Sequence, residues 1–166
     1  MSRKHPIIAV TGSSGAGTST VKCALEYIFN RVGAKVAFVE GDSFHRYDRA
    51  EMKKELKKAK KEGRNLSHFG PDGNLFDKQK ELFSSYGTTG TGKRRRYVHD
   101  EHEAVLYSSE PGTFTEWEEL EPDTDLLFYE GLHGGLVCDE VNIAEDVDLL
   151  IGVAPTINLE WIQKIN

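Results

Sequence analysis

The chain has 166 residues, 38% of them hydrophobic and 29% charged, enough for one domain with a real core. Acidic residues outnumber basic ones 27 to 21, giving a net charge of −6, which argues against nucleic acid as the main partner. No apolar run reaches membrane-spanning length, Met1-Ser2-Arg3-Lys4-His5 leads straight into an apolar segment without a signal peptide, and Cys23 and Cys138 cannot by themselves make a disulfide framework or a four-ligand zinc site. Such a composition describes a cytoplasmic enzyme or nucleotide-binding module with no membrane partner.

In chain order, the pattern alternates strands and helices. Residues 6–11 predict a strand and 18–32 a helix, with Val21, Leu25, Ile28, Phe29 and Val32 on one face and Gly33 as its stop. Residues 35–40 predict a second strand. Asp48 and Glu51 form a capping box opening a charged helix that runs to about 62. A further helix is expected over 74–86, then irregular chain or short strands over 87–124, and buried strands at 125–129 and 148–153. Runs apolar on both faces indicate an α/β fold, a parallel sheet covered by helices. No internal repeat or domain linker is visible, so residues 1–166 form one domain.

The strand Pro6-Ile7-Ile8-Ala9-Val10-Thr11 runs into Gly12-Ser13-Ser14-Gly15-Ala16-Gly17-Thr18-Ser19-Thr20 and then into a helix, the context of a phosphate-binding loop. Glycines let successive N–H groups converge on one anion, and the helix start adds its positive dipole end. Ser19 or Thr20 offers a hydroxyl to Mg2+. The pattern G-x-x-x-x-G-K-[ST] is met at Gly12, Gly17 and Ser19, but Thr18 stands where the lysine belongs, so a cation must come from elsewhere.

Two further elements point toward the same site. Glu130 closes the apolar run Leu126-Leu127-Phe128-Tyr129, as a strand that delivers a carboxylate to Mg2+ does; a surface glutamate ending a strand has the same pattern. Gly41-Asp42-Ser43-Phe44-His45-Arg46-Tyr47-Asp48-Arg49 comes directly after the second strand, and ligands of open α/β sheets bind beyond the strands' carboxyl ends. An aspartate there can accept an acceptor hydroxyl's proton, and a histidine and arginine suit a phosphorylated acceptor. Taken singly, Asp42 reads as a loop cap and His45 as a surface histidine.

Other motifs carry less. Gly87-Thr88-Thr89-Gly90-Thr91-Gly92-Lys93 resembles a second phosphate loop but lacks a preceding strand, and with Arg94-Arg95-Arg96 it reads as a mobile basic loop that can still touch an anionic substrate. His102-Glu103 begins a zincin-like H-E-x-x-H in which Leu106 replaces the second histidine, and His99 with His102 makes no metal site. Cys23 lies in the first turns of the P-loop helix, where a helix start can lower a thiol's pKa, but it reads better as a buried structural thiol. No [NT]KxD guanine-reading motif is present.

Together, Gly12 to Thr20, Glu40-Gly41-Asp42-Ser43-Phe44-His45-Arg46, Tyr97-Val98-His99, Phe128-Tyr129-Glu130-Gly131-Leu132-His133-Gly134-Gly135 and Asn158-Leu159-Glu160-Trp161-Ile162-Gln163-Lys164 resemble the bacterial-type phosphoribulokinases of the P-loop kinase superfamily, over essentially the whole chain. The resemblance implies ATP-dependent phosphorylation of D-ribulose 5-phosphate at its C1 hydroxyl, with Mg2+, and a P-loop kinase sheet that is parallel or mixed. It implies that Gly12, Ser13, Ser14, Gly15, Ala16, Gly17, Thr18, Ser19 and Thr20 hold ATP, that Ser19 and Glu130 attend the metal, and that Asp42 is the base. His45, Arg49, Lys53, Tyr97 and His99 are implied contacts of the sugar phosphate, Lys164 the missing cation, and Arg31 a position tied to allosteric control by NADH. The plant type's cysteine inside the P-loop is absent from 12–20. The family also implies a homo-oligomer at full length.

Members of the resembled family continue well beyond Asn166, and the sequence stops within an expected helix over 157–165. The expectation is therefore of a truncated portion, with two functional classes open: a kinase active when the rest is supplied, with weak or no activity in this chain, or a non-catalytic nucleotide-binding remnant.

Overall fold

The computed structural model describes residues 4–13 and 15–155; Ser14, Lys164 and the helix expected over 157–165 lie outside the described residues. Its sheet is parallel, in the order β2 (Val36–Glu40), β5 (Leu126–Glu130), β1 (Ile7–Gly12), β6 (Leu149–Val153). In register, Ile7 faces Leu127, Val10 faces Glu130, and Glu40 also faces Glu130. Gly12 lies opposite Val153 on the other side. The carboxyl ends of β1, β2 and β5 therefore finish side by side, and the loops leaving these strands share one edge.

Alternation along the strands explains both faces. One cluster gathers Ile7, Ala9, Ala37, Val39, Leu127 and Tyr129 beneath Leu82, Phe83 and Tyr86 of α3 (Phe76–Thr89). The opposite cluster joins Val10 and Phe128 to Phe29 of α1 (Thr18–Val32), with Val21 and Leu25 packed against it. Parallel strands buried on both sides in this way read as continuous apolar runs. Gly33 ends α1 at φ 73°, and the Ala34 N–H returns to the Phe29 carbonyl at 3.0 Å, closing the cap expected from sequence. Helix α2 (Arg49–Lys61) begins at Asp48, whose carboxylate accepts from the Ala50 and Glu51 N–H groups, while the Glu51 carboxylate accepts from the Asp48 N–H.

Several expectations require correction. On α1, Ile28 and Val32 are exposed, because the apolar stripe meeting the sheet is the narrower Val21–Leu25–Phe29 row. The supposed mobile basic loop is ordered structure: residues 87–89 are the last turn of α3, Gly90 caps it, and β3 (Lys93–Arg94) pairs antiparallel with β4 (Glu118–Glu119). Arg94 is buried, donating Nη1 to the Phe38 carbonyl at 2.7 Å and pairing with Glu118 and Glu121. Helix α4 (Glu101–Tyr107), capped by Asp100, interrupts the stretch expected to be irregular. Strand β6 is half-exposed at Leu149 and Leu150 rather than buried. Among the described residues, no helix is long and apolar enough to cross a membrane.

Candidate active site

A cleft of about 630 Å3 opens at the carboxyl edge of the sheet. One wall is the loop after β1, where Gly15 (φ 79°) and Gly17 (φ 96°) take left-handed conformations that let the backbone curl into a cradle. The Ala16 N–H turns back to the Ser13 carbonyl at 2.9 Å, and a Cβ on Gly12 would come within 2.7 Å of the Val153 carbonyl. Gly12, Ser13, Gly15, Thr18 and Ser19 line this wall; Ala16 is buried behind it, Gly17 caps α1, and Thr20 is exposed on the helix's first turn.

Glu130 and Glu40 stand opposite, at the ends of β5 and β2. Both strands then continue into a glycine, and these glycines are required: a Cβ on Gly131 would lie 2.8 Å from the Gly41 Cα, and one on Gly41 would lie 2.6 Å from the Tyr129 hydroxyl. Close passage of the two backbones brings the 3-10 turn Gly41–Phe44 alongside Glu130 and points Asp42 into the cleft. Lys22, on the second turn of α1, donates Nζ to Glu40 Oε1 at 2.5 Å. Burial opposes the ammonium charge, but the bond to Glu40 prevails and raises the Lys22 pKa. Lys22 is thus a cleft cation one helical turn beyond Thr18, a position whose role the sequence pattern does not flag.

Asp42 is the centre of a histidine cluster. Its Oδ1 lies 3.1 Å from His45 Nε2 and its Oδ2 lies 3.8 Å from His99 Nε2. The hydrogen bond from His45 holds the Asp42 carboxyl below its ordinary range, outweighing burial, with the charges of His45, His99 and His68 adding to it. For His45, burial disfavours the charge, but Asp42 and a bond to Asn74 dominate and raise its pKa. His68 stacks on His45 with ring centroids 4.3 Å apart, and burial together with the His45 charge lowers its pKa. His133 turns away from the carboxylates; its Nε2 lies 3.0 Å from the Phe69 carbonyl, and burial lowers its pKa too.

The acceptor-side residues expected from sequence fall around this cluster. Tyr97 meets His99 edge-on at 5.0 Å and His45 at 6.4 Å. Arg49 donates Nη2 to the His99 carbonyl at 3.1 Å and lies over the Tyr97 ring. Lys53 is exposed one turn along α2, outside the cleft wall, and Arg31 is exposed in the last turn of α1. At 1.5 Å per residue, Arg31 is about 20 Å from Thr18, so it belongs to a different surface. Cys23 is exposed and lines the cleft, which overturns the buried-thiol expectation: it shares the side of α1 that carries Lys22 and Glu26 to the opening, while Val21 and Leu25 pack against the core. Among the described residues, no three His, Cys, Asp or Glu side chains form a metal-binding group.

Sequence patterns single out neither His68, Asn74 nor Lys22, and they assign no site role to Arg95 or His133. Arg95 donates Nε to the Ser43 carbonyl at 2.9 Å and Nη2 to the His45 carbonyl at 2.6 Å, so it ties down the turn that carries Asp42. Its guanidinium lies 3.6 Å from the centroid of Phe114 and 5.0 Å from that of Trp117.

A profile of the Phosphoribulokinase / Uridine kinase family matches residues 7–166. The chain belongs to this family. It is 60% identical over 166 residues to the chromosomal phosphoribulokinase of Cupriavidus necator, covering 99% of this chain and 57% of that protein. It is 54% identical over 165 residues to a probable phosphoribulokinase of Escherichia coli, again with 57% of that protein covered. The chain therefore spans somewhat more than half the length of these curated relatives. Among solved structures, phosphoribulokinase from Rhodobacter spheroides superposes with a TM-score of 0.86 at 50% identity, over 99% of this chain and 56% of that one. A possible uridine kinase from Bacillus stearothermophilus superposes at 0.59 with 15% identity, a likeness of fold alone. This family member is accordingly a P-loop kinase in architecture, with a parallel sheet flanked by helices.

Proposed function

We propose that this chain binds Mg-ATP on its P-loop and forms the nucleotide and acceptor part of a kinase that converts D-ribulose 5-phosphate to ribulose 1,5-bisphosphate. The observation that carries the reading is the position of Asp42: it lies in the same cleft as the P-loop, with His45 and His99 on its two oxygens. In this reading Asp42 takes the proton of the acceptor's C1 hydroxyl as that oxygen bonds to the γ-phosphorus. The bond from phosphorus to the bridging oxygen breaks, and ADP leaves with its electron pair. In this reading His45, His99, Tyr97 and Arg49 attend the acceptor's own phosphate, and Lys53, exposed one turn along α2 from Arg49 and outside the cleft wall, reaches it from that side.

The Ser19 hydroxyl and the Glu130 carboxylate line one cleft and are the oxygen donors that suit Mg2+. When bound, the ion neutralises phosphate charge; the chain's own part is to hold those oxygens on opposite walls. Names of relatives at 54–60% identity support the substrate. The proposed NADH effector would meet the chain at Arg31, away from the cleft, and a homo-oligomer in the cytoplasm is the expected full-length state.

A second reading, nucleotide binding without catalysis, is favoured by one observation: among the described residues, the cleft cations Lys22 and His45 each face a carboxylate of the chain itself, Glu40 and Asp42. The test is ADP release from Mg-ATP with ribulose 5-phosphate or uridine as acceptor, using this chain and a form extended by the C-terminal portion of the Cupriavidus relative. Turnover of the extended form with ribulose 5-phosphate and not uridine supports the kinase reading. Mg-ATP binding with no turnover in either form favours nucleotide binding without catalysis.

A further inference from the structure

Asn74 is buried at 2% exposure, and its side-chain amide is fully committed. Its Nδ2 donates to the His68 carbonyl at 3.0 Å and the Gly70 carbonyl at 2.8 Å. Neither oxygen can donate, so the amide cannot be reversed, and Oδ1 is the atom left facing His45 Nδ1 at 2.9 Å. An amide oxygen only accepts, so Nδ1 must carry a proton. On the far side of the ring, Nε2 lies 3.1 Å from Asp42 Oδ1. A neutral imidazole has one N–H; with that proton at Nδ1, its Nε2 lone pair would oppose a carboxylate lone pair.

We infer that Asn74 is a positioning residue that holds His45 as an imidazolium, so that the cleft contains a built-in Asp42–His45 ion pair rather than a carboxylate beside a neutral ring. The groups facing His45 favour this arrangement. Asp42 on its own turn supplies the negative charge. His68, stacked on the ring from the segment before Asn74, and His133, after β5, are both held toward neutrality by burial with the His45 charge adding to it. His99 faces the other Asp42 oxygen, and Arg95 contacts the His45 carbonyl rather than its ring. Burial of His45 and the Arg95 charge oppose the imidazolium; the two hydrogen-bond partners at its two nitrogens outweigh them.

The consequence for catalysis rests on the acceptor reading above: His45 is a fixed cation for a phosphorylated acceptor, and Asp42 is left with Oδ2 as its proton-accepting oxygen. The protonation state itself is independent of any reaction. It is measured on the 166-residue chain labelled with 15N-histidine, by two-bond 15N–1H correlation spectra from pH 5 to 10, with the His45 ring identified by its loss in His45→Gln. The expected result is a ring protonated at both nitrogens through neutral pH that, on titrating, keeps the proton at Nδ1. In Asp42→Asn the new amide can donate to Nε2, so the neutral ring becomes acceptable and proton affinity falls roughly tenfold or more, the worth of one charge-assisted hydrogen bond. In Asn74→Leu the neutral ring moves its proton to Nε2. A His45 that titrates like free histidine, or that becomes neutral as the Nε2–H form in the unaltered chain, overturns the inference, as does an unchanged midpoint in Asp42→Asn. Should Asn74→Leu fail to fold, the unaltered chain and Asp42→Asn, whose side chain is half-exposed, decide the question.

Discussion

Lys22 Nζ donates to Glu40 Oε1, fastening the second turn of α1 to the end of β2 beside the phosphate loop. Glu40 is itself the register partner of Glu130, so the ammonium meets a pair of acidic strand ends. With Thr18 at the P-loop lysine position, Lys22 is the cation that α1 brings to the cleft. Lys22→Met is expected to weaken Mg-ATP binding roughly tenfold, about one charge-assisted contact. The melting temperature should move little, because a partly exposed ion pair contributes at most about 1 kcal/mol. Titration calorimetry on the chain checks this, and an unchanged affinity assigns the role to another group.

Backbone proximity at the ends of β2 and β5 makes a stability prediction. A Cβ at Gly131 would sit 2.8 Å from the Gly41 Cα and 3.0 Å from the Gly41 nitrogen, and backbone atoms cannot swing aside as a flexible side chain does. Gly131→Ala should lower stability by about 1–3 kcal/mol, the usual cost of overpacking, and displace the Asp42 turn. A urea midpoint equal to that of the unaltered chain would count against this account of the Glu-Gly endings.

Arg95 predicts a non-conservative Arg-to-Lys change. Its planar fork reaches two carbonyls at once while stacking on Phe114 and Trp117, and a lysine ammonium offers neither geometry. Arg95→Lys and Arg95→Met should each cost roughly 2–3 kcal/mol by urea denaturation, within the range for hydrogen bonds from a charged donor plus lost packing. Full stability in the lysine variant would mean that charge alone suffices there.

The parts of this fold written locally in the chain were legible in its sequence. Gly33 and the Asp48–Glu51 box depend on neighbours within a turn, and the P-loop needs only a strand, glycines and a helix start in succession. What escaped depends on tertiary partners. Arg94-Arg95-Arg96 reads as a solvated basic run, yet Arg94 is buried because the Phe38 carbonyl, Glu118 and Glu121 come from distant segments. Helix α4 leaves Val105 and Leu106 exposed, so it has no apolar stripe to detect. Asp42 and His45 were legible as a cluster; Asn74, which governs their protons, is 29 residues from His45 and has no motif.

The Asp42–His45 pair gives stability an optimum in pH. The Asp42 pKa is lowered on folding, so its contribution is present above the unfolded carboxyl pKa and is lost as pH falls through the folded value. The His45 pKa is raised, so its contribution is complete below the unfolded imidazole pKa and is lost as pH rises through the folded value. The pair therefore stabilises most in the mildly acidic window between the unfolded carboxyl and imidazole values. Urea midpoints across pH 3 to 9 should show that maximum in the unaltered chain and a flatter profile in Asp42→Asn. Parallel profiles would show that the pair contributes nothing.

Turnover by this chain should be small even though nucleotide binds. Phosphoryl transfer depends on positioning and on cations around the transferring group, and a single transition-state arginine is worth roughly 10^3–10^5 in rate. Among the described residues, the cleft supplies Lys22 and the His45 imidazolium, while Thr18 occupies the P-loop lysine position and Lys164, the cation that the family resemblance implies, lies outside the described residues. Lys22 is held by Glu40, and His45 by Asp42, so neither cation is unopposed. The expected rate of ADP release with ribulose 5-phosphate is at least roughly a thousandfold below that of the full-length Cupriavidus relative assayed alongside. Calorimetry should at the same time show Mg-ATP binding to the chain, since the P-loop cradle is local to residues 12–20. A rate within tenfold of the relative would mean that the cleft cations described here are sufficient, and Lys22→Met would then be the first variant to lose activity.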